Sequence, residues 1–349
     1  MRNVYKSTER KCAEKIKEWR RAMFEEERKR VSLKLDKERE EGDLTFCVVT
    51  DSHLDDYEDD TIENIKAVDS TAHFDFIVHL GDIVNGNLPR NYTMKIMKEE
   101  MKKYKNAIES KVFFPVQGNH DGYCNVTDVC TAPDIALEKD WYDVTSFTNE
   151  YENVIRREDD PWFYADYKEK RLRLIVLSSF SYEWTQKGEF RKVYALAPRQ
   201  LEWLEKEALN LEEGWTVMLF SHDGPLRYYN QERYKEEPWN GNSKELMEAV
   251  LKAKRDRKID VAAWFIGHWH GDLCNVVEKI PFVIVGSQTC YIPQLWLMPS
   301  TGDYEDRKRE SVTQDLWDAV VWKSKEKKLH LIRFGAGKDK IVDYDCGLV

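Results

Sequence analysis

The stretch LTFCVVTDSH, residues 44–53, joins a predicted β-strand to two polar side chains that can bind a metal ion. Its first seven residues are mostly apolar or β-branched and lack polar alternation, which is typical of a strand buried on both faces. Asp51 and His53 follow directly, and ligand sites in α/β sheets gather at the carboxyl ends of strands. Because Asp51 and His53 are two residues apart on an extended segment, they can point the same way and bind one metal ion.

Similar apolar runs recur along the chain, and polar helical stretches lie between several of them. This order predicts a layered α/β protein in which helices cover the sheets. The predicted strands occupy residues 44–50, 76–80, 112–116, 172–178, 216–220, 261–266, 282–285 and 328–334. The predicted helices occupy residues 61–69, 92–110, 198–211 and 243–257.

Polar side chains also follow four of the other predicted strands. The candidate metal-binding residues are Asp51, His53, Asp82, Asn119, His222, His268 and His270. This mixture of oxygen and nitrogen donors suits Mn, Fe or Zn better than Ca or Mg, which prefer oxygen alone. One carboxylate, such as that of Asp82, can bridge two cations. Two cations about 3.5–4 Å apart can clamp the attacking and leaving oxygens of a phosphate and lower the pKa of a bridging water.

The chain resembles the calcineurin-like metallophosphoesterase superfamily in an ordered set of motifs. These are Asp51-x-His53, Gly81-Asp82, Gly118-Asn119-His120-Asp121, His222 and Gly267-His268-x-His270. The resemblance implies a four-layer α/β/β/α sandwich of two mixed sheets. It also implies a metal-dependent phosphoric ester hydrolase with two divalent or trivalent transition-metal ions, Mn, Fe or Zn, and a water or hydroxide that bridges them.

The resemblance divides the candidate residues by role. The ligands implied for the first metal are Asp51, His53 and His270, and those implied for the second are Asn119, His222 and His268. Asp82 would bridge the two metals. The implied catalytic residues are His120, which would orient the substrate or protonate the leaving group, and Asp121, which would orient the ring of His120. His79 matches no motif and is interpreted as a structural residue.

Departures from individual branches of the superfamily narrow the expected substrate. Asp82 is followed by Ile83-Val84-Asn85-Gly86 instead of the Val-Asp-Arg-Gly type of extension seen in protein serine/threonine phosphatases. Purple acid phosphatases carry Tyr at the position of Asn85. With these branches set aside, the motifs resemble those of the phosphodiesterases that act on cyclic nucleotides and glycerophosphodiesters. We therefore predict a small phosphodiester substrate. Asn85 could contact the substrate phosphate, or it could form a turn beside Gly86.

Several functional alternatives remain open at this stage. A phosphomonoesterase with the same site is the main alternative, and a nuclease or a non-catalytic interaction module is less favoured.

Residues 123–170 are aromatic and acidic with few strand signals, so we interpret them as an insertion near the site. The aromatic residues Tyr123, Trp141 and Trp162 could line a substrate pocket there, although such residues more often form the core of an insertion.

Composition bears on partners and location. The net charge is -10, which argues against broad electrostatic capture of nucleic acid. No stretch approaches the roughly 18 apolar residues that span a membrane, and the N-terminus lacks the apolar region of a secretory signal. Seven Cys without regular spacing suit a reducing compartment, so the cytoplasm is the expected location. Cys124 and Cys130 could pair but are interpreted as ordinary thiols.

The N-terminal region is predicted to form one highly charged helix over residues 8–40, ended by Gly42 and Asp43. Its apolar positions at helical spacing are Ala13, Ile16, Trp19, Met23 and Phe24. The expected organisation is therefore an amphipathic helical extension over residues 1–42 and a metallophosphoesterase domain over residues 43–349. We expect the helix to pack on the body of the protein, with a dimer contact as the alternative; the oligomeric state stays open.

Overall fold

The computed structural model describes residues 2–54, 58–122, 135–184, 190–227, 229, 231–233, 235, 241–289 and 307–345. Tyr123, Cys124 and Cys130, for which predictions were made, lie outside the described residues. The helices are α1 Arg2–Glu38, α2 Glu58–Ala72, α3 Arg90–Lys105, α4 Asn119–Gly122, α5 Glu138–Thr145, α6 Pro198–Trp203 and α7 Ser243–Asp256. The first strands are β1 Leu44–Val49, β2 Phe76–His79, β3 Phe113–Pro115, β4 Val154–Ile155, β5 Phe163–Tyr167, β6 Leu172–Val176, β7 Phe180–Trp184 and β8 Phe190–Tyr194. The others are β9 Thr216–Ser221, β10 Asp260–Ile266, β11 Leu273–Val277, β12 Ile280–Ile284, β13 Leu316–Lys323, β14 Lys328–Gly335 and β15 Lys340–Asp343.

Most of the described strands belong to two mixed sheets. A six-stranded sheet has the order β15-β14-β13-β1-β2-β3, in which β1, β2 and β3 run parallel and β13 pairs antiparallel with β1. A seven-stranded sheet has the order β11-β12-β10-β9-β6-β5-β4, in which β6, β9, β10 and β12 run parallel. Strands β7 and β8 form a separate antiparallel hairpin. The parallel strands of each sheet bring the loops at their carboxyl ends to one edge.

Three hydrophobic clusters show how the layers stack. One lies between the sheets, where Phe46 of β1 meets Phe220 of β9 and Phe265 of β10 edge-on. Another joins α1, α2 and α3 to the outer face of the six-stranded sheet, and the third joins α6 and α7 to the outer face of the seven-stranded sheet. Every residue of β1 is buried because its alternate side chains enter clusters on both faces. The predicted four-layer α/β/β/α sandwich is confirmed.

The interpretation of residues 123–170 as an insertion is wrong for the part that contains β4 and β5. Strand β5 pairs antiparallel with β6, and β4 pairs with β5, so both belong to the seven-stranded sheet. Phe163 and Ala165 enter the cluster between the sheets, while Tyr164 packs on the opposite face. Strand β13 was not predicted either, because Asp318 interrupts its apolar run. Strands that carry polar residues give a weaker sequence signal than continuous apolar runs.

Helix α1 packs against the sandwich through residues that follow Trp19. Phe24, Val31 and Leu35 are buried in the cluster that contains Trp317, whereas Trp19 is 47% exposed. The predicted apolar stripe is therefore wrong at Trp19, and it omitted Val31 and Leu35. A charged helix of this kind gains its stability from the face that it buries on the sheet. Among the described residues, no helix is both long enough and apolar enough to cross a membrane.

A buried ion-pair network connects the C-terminal strands to the loop after β10. Arg333 on β14 is 1% exposed. Its Nε donates to Asp318 Oδ1 on β13 over 2.8 Å, and its Nη2 donates to Asp272 Oδ1 over 2.9 Å. Asp272 lies two residues after His270, a candidate metal ligand. Because buried charges must stay paired, this network fixes the loop after β10 relative to the six-stranded sheet.

Candidate metal centre

The candidate metal-binding residues lie at the carboxyl ends of five strands. The loops that carry them follow β1, β2 and β3 of the six-stranded sheet and β9 and β10 of the seven-stranded sheet. In that order the residues are Asp51 and His53, Asp82, Asn119, His222, and His268 and His270. These five strands run parallel to their neighbours among them within each sheet, and the short distances between their side chains show that the loops of both sheets meet at one end of the sandwich.

Asp51, His53 and His270 form one group of donor atoms that all lie within 4.8 Å of one another. His270 Nε2 lies 3.1 Å from Asp51 Oδ1 and 3.2 Å from His53 Nε2. The three side chains are buried, and Asp51 Oδ1 makes no hydrogen bond within the described part of the chain. A buried carboxylate oxygen in this position requires a positive charge nearby.

Asp82, His222 and His268 form a second group of donor atoms. His222 Nε2 lies 3.2 Å from Asp82 Oδ2 and 3.1 Å from Oδ1 of Asn119. Asp82 also belongs to a group with His53 and His120, so its carboxylate lies between the first and second groups. The structure thus brings all the predicted metal-binding residues into one cluster.

Sharp backbone turns direct several of these side chains into the cluster. Residues with φ in the left-handed region are Asp51 (53°), His53 (49°), Asp82 (55°), His268 (63°) and His270 (49°). For residues other than glycine this conformation costs on the order of 1–3 kcal/mol each, and it occurs mainly at functional sites. Hydrogen bonds between the loops hold the turns, since Asp51 N–H donates to Gly81 O over 2.9 Å and His53 N–H to Asp82 O over 3.0 Å.

Two glycines allow the loops to approach one another. A Cβ atom on Gly118 would lie well under 3.0 Å from the backbone nitrogen and Oδ1 of Asp82. A Cβ on Gly267 would lie 2.8 Å from Asp51 Oδ2. The residues immediately before Asn119 and His268 therefore need to be glycine for steric reasons.

Replacing Gly118 with alanine is expected to displace Asp82 and disrupt the cluster. We expect a loss of about 1–3 kcal/mol in the free energy of unfolding, as is typical of overpacked sites, together with reduced metal binding. Urea unfolding and metal analysis of the purified variant would measure both effects. Gly241→Ala is the matched control, because its Cβ would meet its nearest neighbour at 3.6 Å. Equal behaviour of the two variants would contradict the steric argument.

The buried carboxylates of the cluster are stabilised by positive charge on neighbouring groups. Burial raises the pKa of Asp82, but the charges of His222, His120 and His53 outweigh this effect and hold it below its ordinary value. Burial lowers the pKa of His222, whereas Asp82 and Asp51 raise it, with a net result of about 10. A proton on His222 thus balances the carboxylates in the protein alone, and metal cations can supply the same charge.

His120 and Asp121 have different contacts from those expected. His120 Nδ1 lies 2.8 Å from the backbone oxygen of Asn85, so this carbonyl orients the ring. Asp121 accepts backbone N–H groups instead, from Asp82 (3.0 Å), Ile83 (2.8 Å), Val84 (3.2 Å) and Gly118 (2.8 Å). Burial and the charge of Asp82 raise the pKa of Asp121 to about 7. The expectation that Asp121 orients His120 directly is therefore corrected: Asp121 holds together the loops after β2 and β3.

Two supporting contacts lie behind Asp51 and His53. Ser52 Oγ lies 3.2 Å from His79 Nε2, while His79 Nδ1 accepts the N–H of Gly81 over 3.2 Å. His79 is fully buried, and burial lowers its pKa to about 3, so its ring is neutral. These contacts agree with the interpretation of His79 as a structural residue.

Arg307 is a supporting residue that the sequence analysis missed. Its guanidinium donates to the backbone oxygens of Ser287, Gln288 and Thr289. That segment in turn contacts the strand end after β1, since Ser287 Oγ donates to Asp51 O over 2.9 Å. Arg307 therefore holds a loop that positions the backbone of Asp51. No motif of the resemblance includes this residue, so the sequence carried no signal for it.

Two of the three aromatic residues considered for a substrate pocket, Trp141 and Trp162, lie in the hydrophobic core. Trp141 and Trp162 are each 1% exposed and belong to hydrophobic clusters, as the simpler interpretation held. Phe180 and Tyr194 of the β7–β8 hairpin lie beside His268 instead, with ring centroids 6.5 Å and 6.0 Å away. The position of this hairpin beside the cluster could not be predicted from sequence, because it depends on tertiary packing.

Comparisons with known proteins found one family model and several similar solved structures. The family model for the calcineurin-like phosphoesterase matches residues 44–272. The structure of a dimetal phosphatase from Danio rerio is similar with a TM-score of 0.56 and 13% identity, over 86% of this chain and 99% of that one. A phosphopantetheinyl hydrolase from Mycobacterium tuberculosis gives a TM-score of 0.38 and 11% identity, over 70% of this chain and 90% of that one. No curated protein matches this chain in sequence.

The chain belongs to the calcineurin-like phosphoesterase family. It is a metallophosphoesterase, an enzyme that hydrolyses phosphoric esters. The family uses a dinuclear metal centre, and the side chains at the candidate site fit one. Asp51 Oδ1, which is buried and makes no hydrogen bond to the described residues, is a suitable donor for a transition-metal cation, as are the facing Nε2 atoms of His53 and His270.

Proposed function

We propose that the protein is a phosphodiesterase that hydrolyses small phosphodiesters, of the nucleotide or glycerophosphodiester type, with two transition-metal ions. Mn, Fe and Zn are the candidates because the donor set mixes oxygen and imidazole nitrogen. The proposed ligands of the first metal are Asp51, His53 and His270, those of the second are Asn119, His222 and His268, and Asp82 is shared. The metals would activate the attacking water and neutralise the phosphate oxygens.

The composition of the charged groups around the cluster supports a diester substrate. Within the described chain, Asp51 pairs with the imidazoles of His53, His222 and His270, and Asp82 pairs with those of His53, His120 and His222. Among the described residues, neither carboxylate pairs with a lysine or arginine. A phosphodiester carries one negative charge and a monoester carries up to two, so a diester requires less positive charge beyond the metals.

His120 is the proposed proton donor for the leaving group. The carbonyl of Asn85 can only accept a hydrogen bond, so Nδ1 of His120 carries its proton and Nε2 is the nitrogen that exchanges one. Nε2 lies 3.8 Å from Asp82 Oδ2, beside the cluster. In the reaction, the oxygen of water forms a bond to phosphorus and the bond to the leaving oxygen breaks. That oxygen takes its proton from Nε2 of His120, the proton that the attacking water loses passes to solvent, and His120 regains a proton from solvent.

A phosphomonoesterase is the second candidate, because the same donor atoms and the same histidine can serve a monoester. The test compares bis-p-nitrophenyl phosphate with p-nitrophenyl phosphate, in protein loaded with Mn and in protein stripped by a chelator. We expect metal-dependent turnover with a higher kcat/KM for the diester. A higher kcat/KM for the monoester would support the phosphatase instead. Absence of turnover of both esters with Mn, Fe and Zn would contradict the proposed activity.

The proposal also covers the domain organisation and the cellular location. We propose that residues 1–42 are a helical extension and that residues 43–349 form the catalytic domain, which agrees with a family match that begins at residue 44. We also propose a cytoplasmic location. Cys47 and Cys274, both within the described residues, are free thiols, as a reducing compartment favours.

A further inference from the structure

The β7–β8 hairpin stands outside both large sheets and places two aromatic rings at the candidate site. Phe180 begins β7 and Tyr194 ends β8, and the two residues are opposite each other in the antiparallel pair. Their ring centroids are 5.0 Å apart in an edge-to-face arrangement. Edge-to-face pairs of this kind hold both rings in defined orientations.

The two rings contact the imidazoles of the second donor group. The Phe180 ring centroid lies 5.9 Å from that of His222, and the Tyr194 centroid lies 6.0 Å from that of His268. Phe180 is 1% exposed and serves as the support, whereas Tyr194 is partly exposed. Tyr194 is therefore partly accessible to solvent at a position beside His268.

Tyr194 and the proposed proton donor lie at different parts of the cluster. His120 is grouped with His53 and Asp82, and its ring centroid is 4.7 Å from that of His53. His268, which Tyr194 contacts, is grouped with Asp82 and His222. The two groups share Asp82 alone. A phosphodiester centred on Asp82 would thus direct its leaving group towards His120 and its other ester group towards Tyr194.

We infer that Tyr194 determines specificity by stacking on the ester group that the phosphate retains, and that this group carries an aromatic ring, as a nucleoside does. The inference rests on the proposed phosphodiesterase activity. Stacking of a base or an aryl group on an aromatic side chain contributes to binding through contact between the ring faces. It therefore selects for an aromatic group and tolerates differences in the substituents of that group.

The test uses two diesters with the same leaving group. Bis-p-nitrophenyl phosphate retains an aryl group after p-nitrophenolate departs, whereas methyl p-nitrophenyl phosphate retains a methyl group. For Tyr194→Leu we expect kcat/KM to fall about 5- to 10-fold with the aryl diester, a factor typical of one lost stacking contact. The methyl diester should change less than about twofold, since it makes no such contact.

Two variants serve as controls for this comparison. Tyr194→Phe keeps the ring and should retain wild-type selectivity between the diesters. Trp19→Leu removes an exposed aromatic residue on α1, on the outer face of the six-stranded sheet, and should change neither rate. Equal losses with both diesters in Tyr194→Leu, or no loss with the aryl diester, would overturn the inference.

A binding measurement separates this inference from the proposed activity. Phenylphosphonate and methylphosphonate keep a P–C bond that hydrolysis does not break. At a given concentration, the ligand that binds more tightly raises the Tm of the metal-loaded protein by more. Tyr194→Leu should weaken the binding of phenylphosphonate several-fold and leave the binding of methylphosphonate unchanged. If the wild type turned over neither diester, the proposed activity would fail, and this comparison would still decide whether Tyr194 recognises an aromatic group.

Discussion

Asp82→Asn is expected to lower phosphoesterase kcat by more than about 100-fold, because even residues that only support metal ligands cost 10–100-fold when replaced. Asp82 lies between the two donor groups, with Oδ2 3.2 Å from His222 Nε2 and 3.8 Å from the Nε2 atoms of both His53 and His120. Asparagine keeps the shape of the side chain but removes the negative charge and one oxygen donor. Activity and bound metal per protein chain would be measured together, and both should fall.

Asp69→Asn is the matched control for this variant. Asp69 is also a buried carboxylate, and it accepts the N–H groups of Phe74 over 2.7 Å and Glu109 over 2.8 Å. It lies near the end of α2, before β2 begins, so it is far along the sheet from the strand ends that carry the cluster. Asp69→Asn should retain its metal and its activity. Full metal content and activity in Asp82→Asn would contradict the proposed role of Asp82.

Arg333→Met is expected to lower the free energy of unfolding by about 3–5 kcal/mol, the usual cost of removing one partner from a buried ion pair. The substitution leaves Asp272 and Asp318 buried, at 7% and 1% exposure, without their shared guanidinium. Lys340 would still pair with Asp272, but Asp318 would lose its partner on Arg333. Urea unfolding monitored by circular dichroism would measure the change.

Two further variants show whether unpaired charge causes this loss. Arg255→Met removes an exposed pair with Asp256, with side chains 70% and 47% exposed, and should cost less than about 1 kcal/mol. The triple variant Arg333→Met, Asp272→Asn, Asp318→Asn also removes the two carboxylate charges that have lost the guanidinium. It should recover part of the lost free energy of unfolding. A loss in Arg333→Met no greater than that in Arg255→Met would show that the network contributes little.

The motifs at strand ends could be predicted because each combines two strong local signals. In the 44–53 stretch, a continuous apolar run marks a buried strand and the polar residues after it mark the site. The parallel order of β1, β2 and β3 then brings Asp51 and Asp82 together. The fold class and the membership of the cluster therefore followed from sequence, although the ligand roles remain proposals.

Features that depend on contacts between distant segments could not be predicted. The left-handed backbone at Asp51 is held by a hydrogen bond to Gly81. The ring of His120 is oriented by the backbone oxygen of Asn85. Neither contact corresponds to a recognisable sequence pattern. Tyr194 was missed for a similar reason, since the hairpin that carries it packs beside the cluster only in the folded protein. Propensity and periodicity report local structure, and tertiary contacts decide the rest.

The antiparallel pairing of β1 with β13 has a consequence for the order in which the protein can form during synthesis. β1 leaves the ribosome early, but its partner β13 spans Leu316–Lys323 and emerges after every candidate ligand. Until then, β1 in the nascent chain has one unpaired edge, and unpaired strand edges are prone to aggregation. A fragment that ends before residue 316 would therefore carry every candidate metal-binding side chain on a sheet whose edge at β1 is unpaired, and we expect chaperones and proteases to act on it.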